Sequence, residues 1–256
     1  MAVSKAVENG VLPPVLVTNR NGRSPFVLLC DHASNHIPQR YENLGLGARE
    51  LNEHIAWDPG TLAVGQLLSQ LLDAPLVHST ISRLMIDCNR MHDADDLIPK
   101  VSEKTFVPGN ETVSAKERQD RIAAFHTPYH LAISDLLDAR AAIDVQNIII
   151  SLHSFTPVYN DVPRQWAAGL IHAGQEKFSR VLFEALLEDA PEIEMGWNVP
   201  YPAREGFYFT IDQHVDKRAN HGTIVEIRND EFLRPSGVSD WAHRLARCLG
   251  ATLERL

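Results

Sequence analysis

Short apolar runs alternate with segments of helical spacing along the chain. The first apolar run covers residues 26–30 (FVLLC), and residues 62–72 then repeat apolar side chains every three or four positions, as one face of a helix does. Asp58 and Pro59 precede this helix, so we expect Asp58 to be its N-cap and Pro59 its first helical residue. The pattern therefore predicts a strand at residues 26–30 and then a helix whose start is indicated by Asp58 and Pro59.

The same alternation continues to the end of the chain. Strand-like runs occupy residues 76–81, 84–87, 147–152, 168–172 and 222–227, and helical spacing occupies residues 115–142, 176–187 and 239–256, the first of these helices with a candidate break at Pro128. The run at 147–152 is the most apolar, which is typical of a strand buried on both faces of a helix-covered sheet. Alternating strands and helices predict one α/β domain over residues 1–256, with a core at about 20–250 and a mainly parallel mixed sheet flanked by helices.

The functional role of two polar segments, residues 91–114 and 212–216, is not determined by the sequence pattern. Residues 91–114 carry several aspartates, prolines and glycines and are expected to form a long loop, with a solvated acidic surface favoured over a second metal site. Asp212, His214 and Asp216 alternate as on an edge strand at the rim of a site, although a solvated loop is the favoured interpretation.

Charge and cysteine content narrow the class of function. The 256 residues carry a net charge of −9, which argues against a nucleic-acid groove. The three cysteines form no C-x-x-C pair, no window of about 18 apolar residues exists, and residues 1–10 lack the apolar core of a signal peptide. We therefore expect a cytoplasmic protein without nucleic-acid or membrane partners, with its oligomeric state left open.

Polar residues follow the apolar runs at four places. They are residues 31–36 (DHASNH), Asp58, His153 directly after the run at 147–152, and Glu226 within the run that ends the sheet pattern. In open α/β sheets the reactive groups gather beyond the carboxyl ends of the strands. Two histidines and a carboxylate make the three-ligand set of a catalytic zinc site, and a further carboxylate is then available as general base.

Each of these residues also has a purely structural explanation. A single histidine at a strand end is more often a hydrogen-bonded polar group than a ligand, and Asp58 alone is explained as a helix cap. Glu226 is costly inside an apolar strand unless it is paired or coordinated. Arg228, two residues later and on the same strand face, is either its ion-pair partner or a group that binds substrate.

Two further arginines flank the run at 84–87. A guanidinium offers a planar fork that matches a carboxylate, so Arg83 and Arg90 in an acidic protein suggest capture of an anionic substrate, with surface ion pairs as the alternative. The chain contains no G-x-S-x-G motif, which argues against a serine hydrolase. It also contains no G-x-G-x-x-G or P-loop motif, which excludes a dinucleotide-binding site or a P-loop phosphate site of the usual kind.

Seven short segments, taken together and in order, resemble the N-formylglutamate amidohydrolase family. They are residues 31–38 (DHASNHIP), 57–58 (WD), 82–83 (SR), 87–90 (DCNR), 128–130 (PYH), 152–154 (LHS) and 226–230 (EIRND). The resemblance covers about residues 20–250. That family is similar to the zinc carboxypeptidase and aspartoacylase superfamily, which implies a zinc-exopeptidase-like α/β fold and a zinc-dependent hydrolase of amide bonds.

The resemblance implies zinc ligands at His32, Asp58 and His153. The superfamily usually places its carboxylate ligand in H-x-x-E, whereas the chain has Asn35 at that position, so His36 is a rival ligand to Asp58. The first loop reads DHAS where the family tends towards PHAG, which leaves the acyl group of the substrate open.

The remaining roles also follow from the resemblance. Glu226 corresponds to the general base, Asn89 and Arg90 to the groups that hold the substrate carboxylate, and Arg83 to an oxyanion-stabilising and substrate-binding group. The implied substrate is a small N-acyl amino acid, above all an acidic one such as N-formylglutamate. The alternatives are a deacylase or carboxypeptidase for another N-acyl amino acid or peptide, and a binding protein that keeps the cleft without turnover. No role is assigned to His130.

Overall fold

A seven-stranded mixed sheet organises the protein in the computed structural model, which describes residues 12–172, 176–202 and 208–256. Residues 1–10, considered above as a possible leader, lie outside the described residues. The strands are β1 (Val15–Thr18), β2 (Phe26–Cys30), β3 (Leu76–Ser79), β4 (Val101–Ser102), β5 (Thr105–Phe106), β6 (Ile148–Phe155), β7 (Val158–Tyr159), β8 (Val162–Pro163), β9 (Ala168–His172), β10 (Met195–Trp197) and β11 (His221–Arg228).

Helices cover the sheet. They are α1 (Ala48–Asn52), α2 (Thr61–Leu72), α3 (Ala115–Arg121), α4 (Thr127–Ala141), α5 (Glu176–Asp189), α6 (Phe209–Ile211) and α7 (Gly237–Arg255), with 3₁₀ turns at Gln39–Gly45, Asp95–Leu97, Pro108–Asn110 and Asn229–Leu233 and π turns at Ile122–His126 and Asp212–Asp216. None of the helices in the described ranges is long and apolar enough to cross a bilayer.

The strands of the large sheet lie in the order β1-β3-β2-β6-β11-β9-β10. Pairing is parallel from β3 through β2 and β6 to β11 and again between β9 and β10, whereas β1–β3 and β11–β9 are antiparallel. All eight residues of β6 are buried, as its apolar sequence predicts for a central strand. The α/β class with a mainly parallel mixed sheet is therefore confirmed.

The alternation of side chains divides the core between the two faces of the sheet. Leu28 and Ile150 point to the side covered by α2, α5 and α7, while Val27 and Ile149 point to the side covered by α4. Both faces of the central strands β2 and β6 are therefore buried from solvent. Their carboxyl ends supply the polar groups described below.

Three predictions about secondary structure are wrong. Residues 84–87 do not form a strand: the Met85 N–H closes a turn onto the Ser82 carbonyl, and the Asp87 N–H donates to the carbonyl of Leu97. Pro128 does not break its helix: it lies in the first turn of α4, where a missing N–H is tolerated, after the π turn at Ile122–His126. The segment at 212–216 is a π turn with His214 buried, and not a solvated loop or an edge strand.

Gly65 lets α2 lie close to the sheet, and this helix follows directly on Asp58. A Cβ atom on Gly65 would meet the Cys30 sulfur at 3.2 Å and methyl groups of Leu76 and Leu152 at 3.4 Å. Gly250, in the C-terminal half of α7, has open space where a Cβ atom would lie. The two glycines therefore differ in packing and share helical backbone geometry.

We expect Gly250→Ala to raise the free energy of unfolding by about 1 kcal/mol, because alanine is the better helix former. Gly65→Ala should gain clearly less or lose stability, because the new methyl group crowds the sheet. Urea denaturation of both variants measures the difference. Equal gains would contradict the close approach of α2 to β2 and β6.

Candidate metal centre

Three buried side chains meet at the carboxyl ends of the central strands. His32 follows β2 by two residues, Asp58 precedes α2, and His153 lies in the second half of β6. One ligand atom from each of the three lies within 4.8 Å of the others. The structure thus brings together the three residues that the family resemblance assigns as zinc ligands.

Asp58 lies between the two histidines. Its Oδ2 atom is 3.3 Å from Nδ1 of His32 and 2.9 Å from Nδ1 of His153, and its backbone N–H donates to the carbonyl of His32 at 2.9 Å. The prediction that Asp58 caps the helix is wrong: α2 begins at Thr61, after Gly60 with a left-handed φ of 85°. The Asp58 carboxylate therefore points at the two histidines and does not cap α2.

Each histidine is held from its other ring nitrogen by a carboxylate. Nε2 of His32 lies 2.7 Å from Oδ1 of Asp87, and Nε2 of His153 lies 3.3 Å from Oδ2 of Asp31. Metal-binding histidines in proteins are oriented in this manner, with one nitrogen towards the metal and the other bound to an acceptor that fixes the ring. Both rings therefore present Nδ1 to the position next to Asp58.

Asp31 is fixed in turn by two hydroxyl groups. The Tyr129 hydroxyl donates to its Oδ1 atom at 2.6 Å, and the Thr210 hydroxyl donates to the same atom at 3.0 Å. Asp31 and Tyr129 both belong to the family segments, and the resemblance implies no role for either. Their positions 98 residues apart gave no signal of the contact, which only the packing of α4 on the sheet creates.

The donor set and its charge fit a divalent metal ion such as zinc. Two imidazole nitrogens and one carboxylate oxygen are the ligands of catalytic zinc sites that keep a position open. Burial alone raises the pKa of Asp31, but hydrogen bonding to His153 and its charge outweigh this effect and lower the pKa to about 2. Burial lowers the pKa of His153, and the bonds to Asp31 and Asp58 raise it well above its usual value. The carboxylates of Asp31 and Asp58 thus favour a positive charge between them.

Glu226 lies beside the cluster. It is in register with His153 on the adjacent parallel strand, so the two side chains share a face of the sheet. The Glu226 side chain is buried, and its Oε2 atom has no hydrogen-bond partner among the described residues. Burial raises the pKa of this carboxyl to about 7, an unusual value that is typical of a functional acid or base.

Arg228 is not the ion-pair partner of Glu226. Its Nε atom lies 2.7 Å from Asp230, and its Nη1 atom donates to the carbonyls of Arg164 and Gln165. The residue does not line the cleft that contains the cluster. Asp230 and two backbone carbonyls therefore hold Arg228 at the end of β11, and its contact with substrate stays a prediction.

The cluster forms the floor of a cleft of about 440 Å³. Three of the predicted substrate-binding residues line it: Arg83, Asn89 and Arg90. Nη2 of Arg83 lies 2.7 Å from Asp87, and Nε of Arg90 lies 2.7 Å from Asp96. Both guanidinium groups therefore reach the cleft with a carboxylate already beside them.

The loop at 91–114 supplies one side of the cleft mouth. Glu103, at the turn between β4 and β5, lies 3.0 Å from Nε2 of His54 and accepts the backbone N–H of Asn160 at 2.8 Å. Asn160 belongs to the turn between β7 and β8, so two small hairpins meet at the rim. His36, the rival zinc ligand, is exposed and is not a member of the cluster.

Comparison with known proteins agrees with this geometry. The family model of N-formylglutamate amidohydrolase matches residues 24–233. The chain belongs to this family. A solved structure of a gene product of Agrobacterium tumefaciens is 34% identical, with a TM-score of 0.89 over 95% of this chain and 96% of that chain. An N-formylglutamate amidohydrolase from Ralstonia eutropha JMP134 shares the fold at 18% identity, with a TM-score of 0.70 over 95% of this chain and 98% of that chain.

No curated protein matches the chain. Membership in the family makes the protein one of a group of hydrolases that act on amide C–N bonds. The resemblance carried by the seven sequence segments is thereby confirmed, and three of these segments each supply one residue of the candidate metal site.

We expect His32→Ala and His153→Ala each to reduce the zinc content of the purified protein sharply, because each variant removes about a third of the protein ligands. Metal analysis by atomic emission on protein equilibrated with zinc measures the effect. His36→Ala is the matched control, since it removes an exposed histidine four residues from His32 and should keep full content. Full occupancy in both cluster variants would refute the site.

Proposed function

We propose that the protein is a zinc-dependent amidohydrolase that removes the acyl group, in the first place the formyl group, from a small N-acyl amino acid. The observation that supports the proposal most strongly is the buried cluster of His32, Asp58 and His153 with Glu226 beside it, whose Oε2 atom has no hydrogen-bond partner within residues 12–172, 176–202 and 208–256. A zinc ion held by the three ligands would lower the pKa of water and polarise an amide carbonyl.

Glu226 is the proposed general base. Among the described residues its Oε2 atom has no competing hydrogen bond, so this oxygen can accept a proton from the attacking water and deliver it to the leaving nitrogen. The raised pKa of this carboxyl keeps proton transfer in both directions feasible near neutral pH. Arg83, fixed by Asp58 and Asp87, presents a guanidinium to the cleft and is the proposed stabiliser of the developing oxyanion.

Asn89 and Arg90 are the proposed anchor for the substrate carboxylate, because both line the cleft on the turn that follows Asp87. Holding the carboxylate orients the amide over the catalytic groups. An acidic substrate such as N-formylglutamate is the first candidate by family membership.

A second candidate is an N-acyl amino acid with an uncharged side chain. It is favoured by the charges of the cleft, since Asp58 and Asp87 already offset Arg83, and Asp96 offsets Arg90. A second substrate carboxylate would have to compete with these groups for the two arginines. A peptide substrate, or binding without turnover, stays as an alternative outcome of the experiments below. We also propose a cytoplasmic location, supported by the three free cysteines.

We expect Glu226→Gln to lower kcat by about a hundredfold or more and to leave zinc content unchanged, because the amide keeps the shape and cannot accept the proton. Activity of the wild type should rise with pH as the carboxyl ionises, and this acidic limb should be absent in the variant. Asp230→Asn, which alters a carboxylate outside the cleft, is the control. Wild-type turnover in Glu226→Gln would show that the residue has no catalytic role.

The substrate can be identified with a matched pair of compounds. N-formyl-L-glutamate and N-formyl-L-glutamine have nearly the same shape and differ by one charge, so the ratio of their kcat/KM values shows whether the cleft prefers a second carboxylate. We expect hydrolysis of at least one of them by the zinc-loaded protein and its loss after chelation of the metal. A protein that carries zinc and cleaves no N-formyl, N-acetyl or N-succinyl amino acid would contradict the proposed function.

A further inference from the structure

Two buried histidines hold the turn that carries Asn89 and Arg90 from outside the cleft. Nε2 of His130 lies 2.8 Å from the carbonyl oxygen of Cys88, and Nε2 of His126 lies 3.1 Å from the carbonyl oxygen of Arg90. Neither histidine lines the cleft. The two contacts bracket Asn89, so the backbone is fixed on both sides of a proposed substrate-binding residue.

The middle carbonyl of the turn is held as well. The backbone N–H of Phe209 donates to the carbonyl of Asn89 at 3.4 Å, and the next N–H, of Thr210, donates to the Asn89 Oδ1 atom at 3.1 Å. The ring of Phe209 packs on both histidines, with centroids 4.6 Å from His130 and 4.8 Å from His126. The carbonyl groups of residues 88, 89 and 90 are therefore all hydrogen-bonded, and the three residues that bond them pack against one another.

The hydrogen-bond partners determine which ring nitrogen carries the proton. A carbonyl oxygen only accepts, so His126 and His130 must carry their protons on Nε2. Their Nδ1 atoms then accept from Nε2 of His92 and of His214, each at 3.0 Å. This leaves Nδ1 of His214 as a bare acceptor, in agreement with its being buried and without a partner among the described residues. We call these four residues the histidine clamp.

Two π turns position His126 and His214 of the histidine clamp. His126 ends one π turn and His214 lies within the other, and π turns inside helices are frequent at functional positions. Burial lowers the pKa of His126 and of His214 to about 4 and that of His130 well below its usual value, so these three rings are neutral near pH 7. Neutral rings are what the donor and acceptor pattern of the clamp requires.

We infer that His126 and His130 are positioning residues that fix the direction of Asn89 and Arg90 and thereby set the affinity for the substrate carboxylate. The inference gives a role to His130, for which the sequence offered none. It rests on the proposed function only for its kinetic consequence. The geometric claim, that the two histidines hold the turn through Nε2–H, is independent of any substrate.

The kinetic test compares His130→Leu with His130→Gln in zinc-loaded protein. Leucine removes the donor to Cys88, whereas the glutamine amide can replace it. With N-formyl-L-glutamate or N-formyl-L-glutamine, whichever the wild type cleaves, we expect His130→Leu to raise KM by about tenfold with kcat changed less than about threefold, because lost binding of an unreactive group acts on KM. His130→Gln should recover most of the affinity.

His243→Leu, an exposed histidine on α7, is the control and should match the wild type. A wild-type KM in His130→Leu overturns the inference. So does a loss in His130→Gln as large as in His130→Leu, because the effect would then come from packing and not from the hydrogen bond.

A second test needs neither a substrate nor a stable leucine variant. Long-range ¹H–¹⁵N spectra of the wild-type protein report the protonated nitrogen of each imidazole, and we expect Nε2–H for both His126 and His130. A proton on Nδ1 of either ring overturns the inference. If the spectra agree and the wild type cleaves no N-acyl amino acid, the proposed function fails and the geometric claim stands.

Amide hydrogen exchange separates a local effect from general destabilisation. The N–H of Asn89 is bonded to Asp87 Oδ1 and that of Arg90 to the Asp87 carbonyl, so both are protected while the turn is closed. In His130→Leu these two amides should exchange at least about tenfold faster, while amides of β6 keep their rates. Unchanged exchange at 89 and 90 in a folded variant contradicts the proposed role.

Discussion

The burial of three carboxylates around two histidines is the constraint on which the rest of the structure depends. Asp31, Asp58 and Asp87 are each almost completely buried, and an isolated buried carboxylate is strongly unfavourable. Each is compensated by an imidazole within 3.3 Å. The arrangement is stable only where positive charge is supplied at its centre, by protons on the histidines or by a metal ion. A buried group of two histidines and a carboxylate with this requirement could hold a metal ion.

Parallel strand pairing turns this constraint into a precise arrangement. β2 and β6 end at the same edge, so a histidine after one and a histidine within the other face the same position. The next strand, β11, adds Glu226 in register with His153. The strand register fixes Glu226 relative to His153, because a slip of one residue would turn Glu226 to the opposite face of the sheet.

The turn from Asp87 to Arg90 connects the two halves of the site. Its first residue orients His32, and its last two residues line the cleft where substrate is proposed to bind. The same turn is held from behind by His126 and His130. One short segment therefore links the orientation of His32 to the position of the proposed substrate anchor. Helix α4 supplies both Tyr129, which bonds Asp31, and His130, which bonds this turn.

The sequence by itself determined the α/β class, the central strand at 147–152, the family, and His32, Asp58, His153 and Glu226 as residues of interest, because hydrophobic periodicity and short motifs are local properties. Tertiary structure alone decided that Asp58 faces the histidines instead of capping α2, that Arg228 pairs with Asp230 instead of Glu226, and that His214 is buried. These outcomes depend on contacts between residues far apart in the chain or on the direction of a side chain from its backbone. Spacing along a sequence does not carry that information, since it is set only when the helices pack on the sheet.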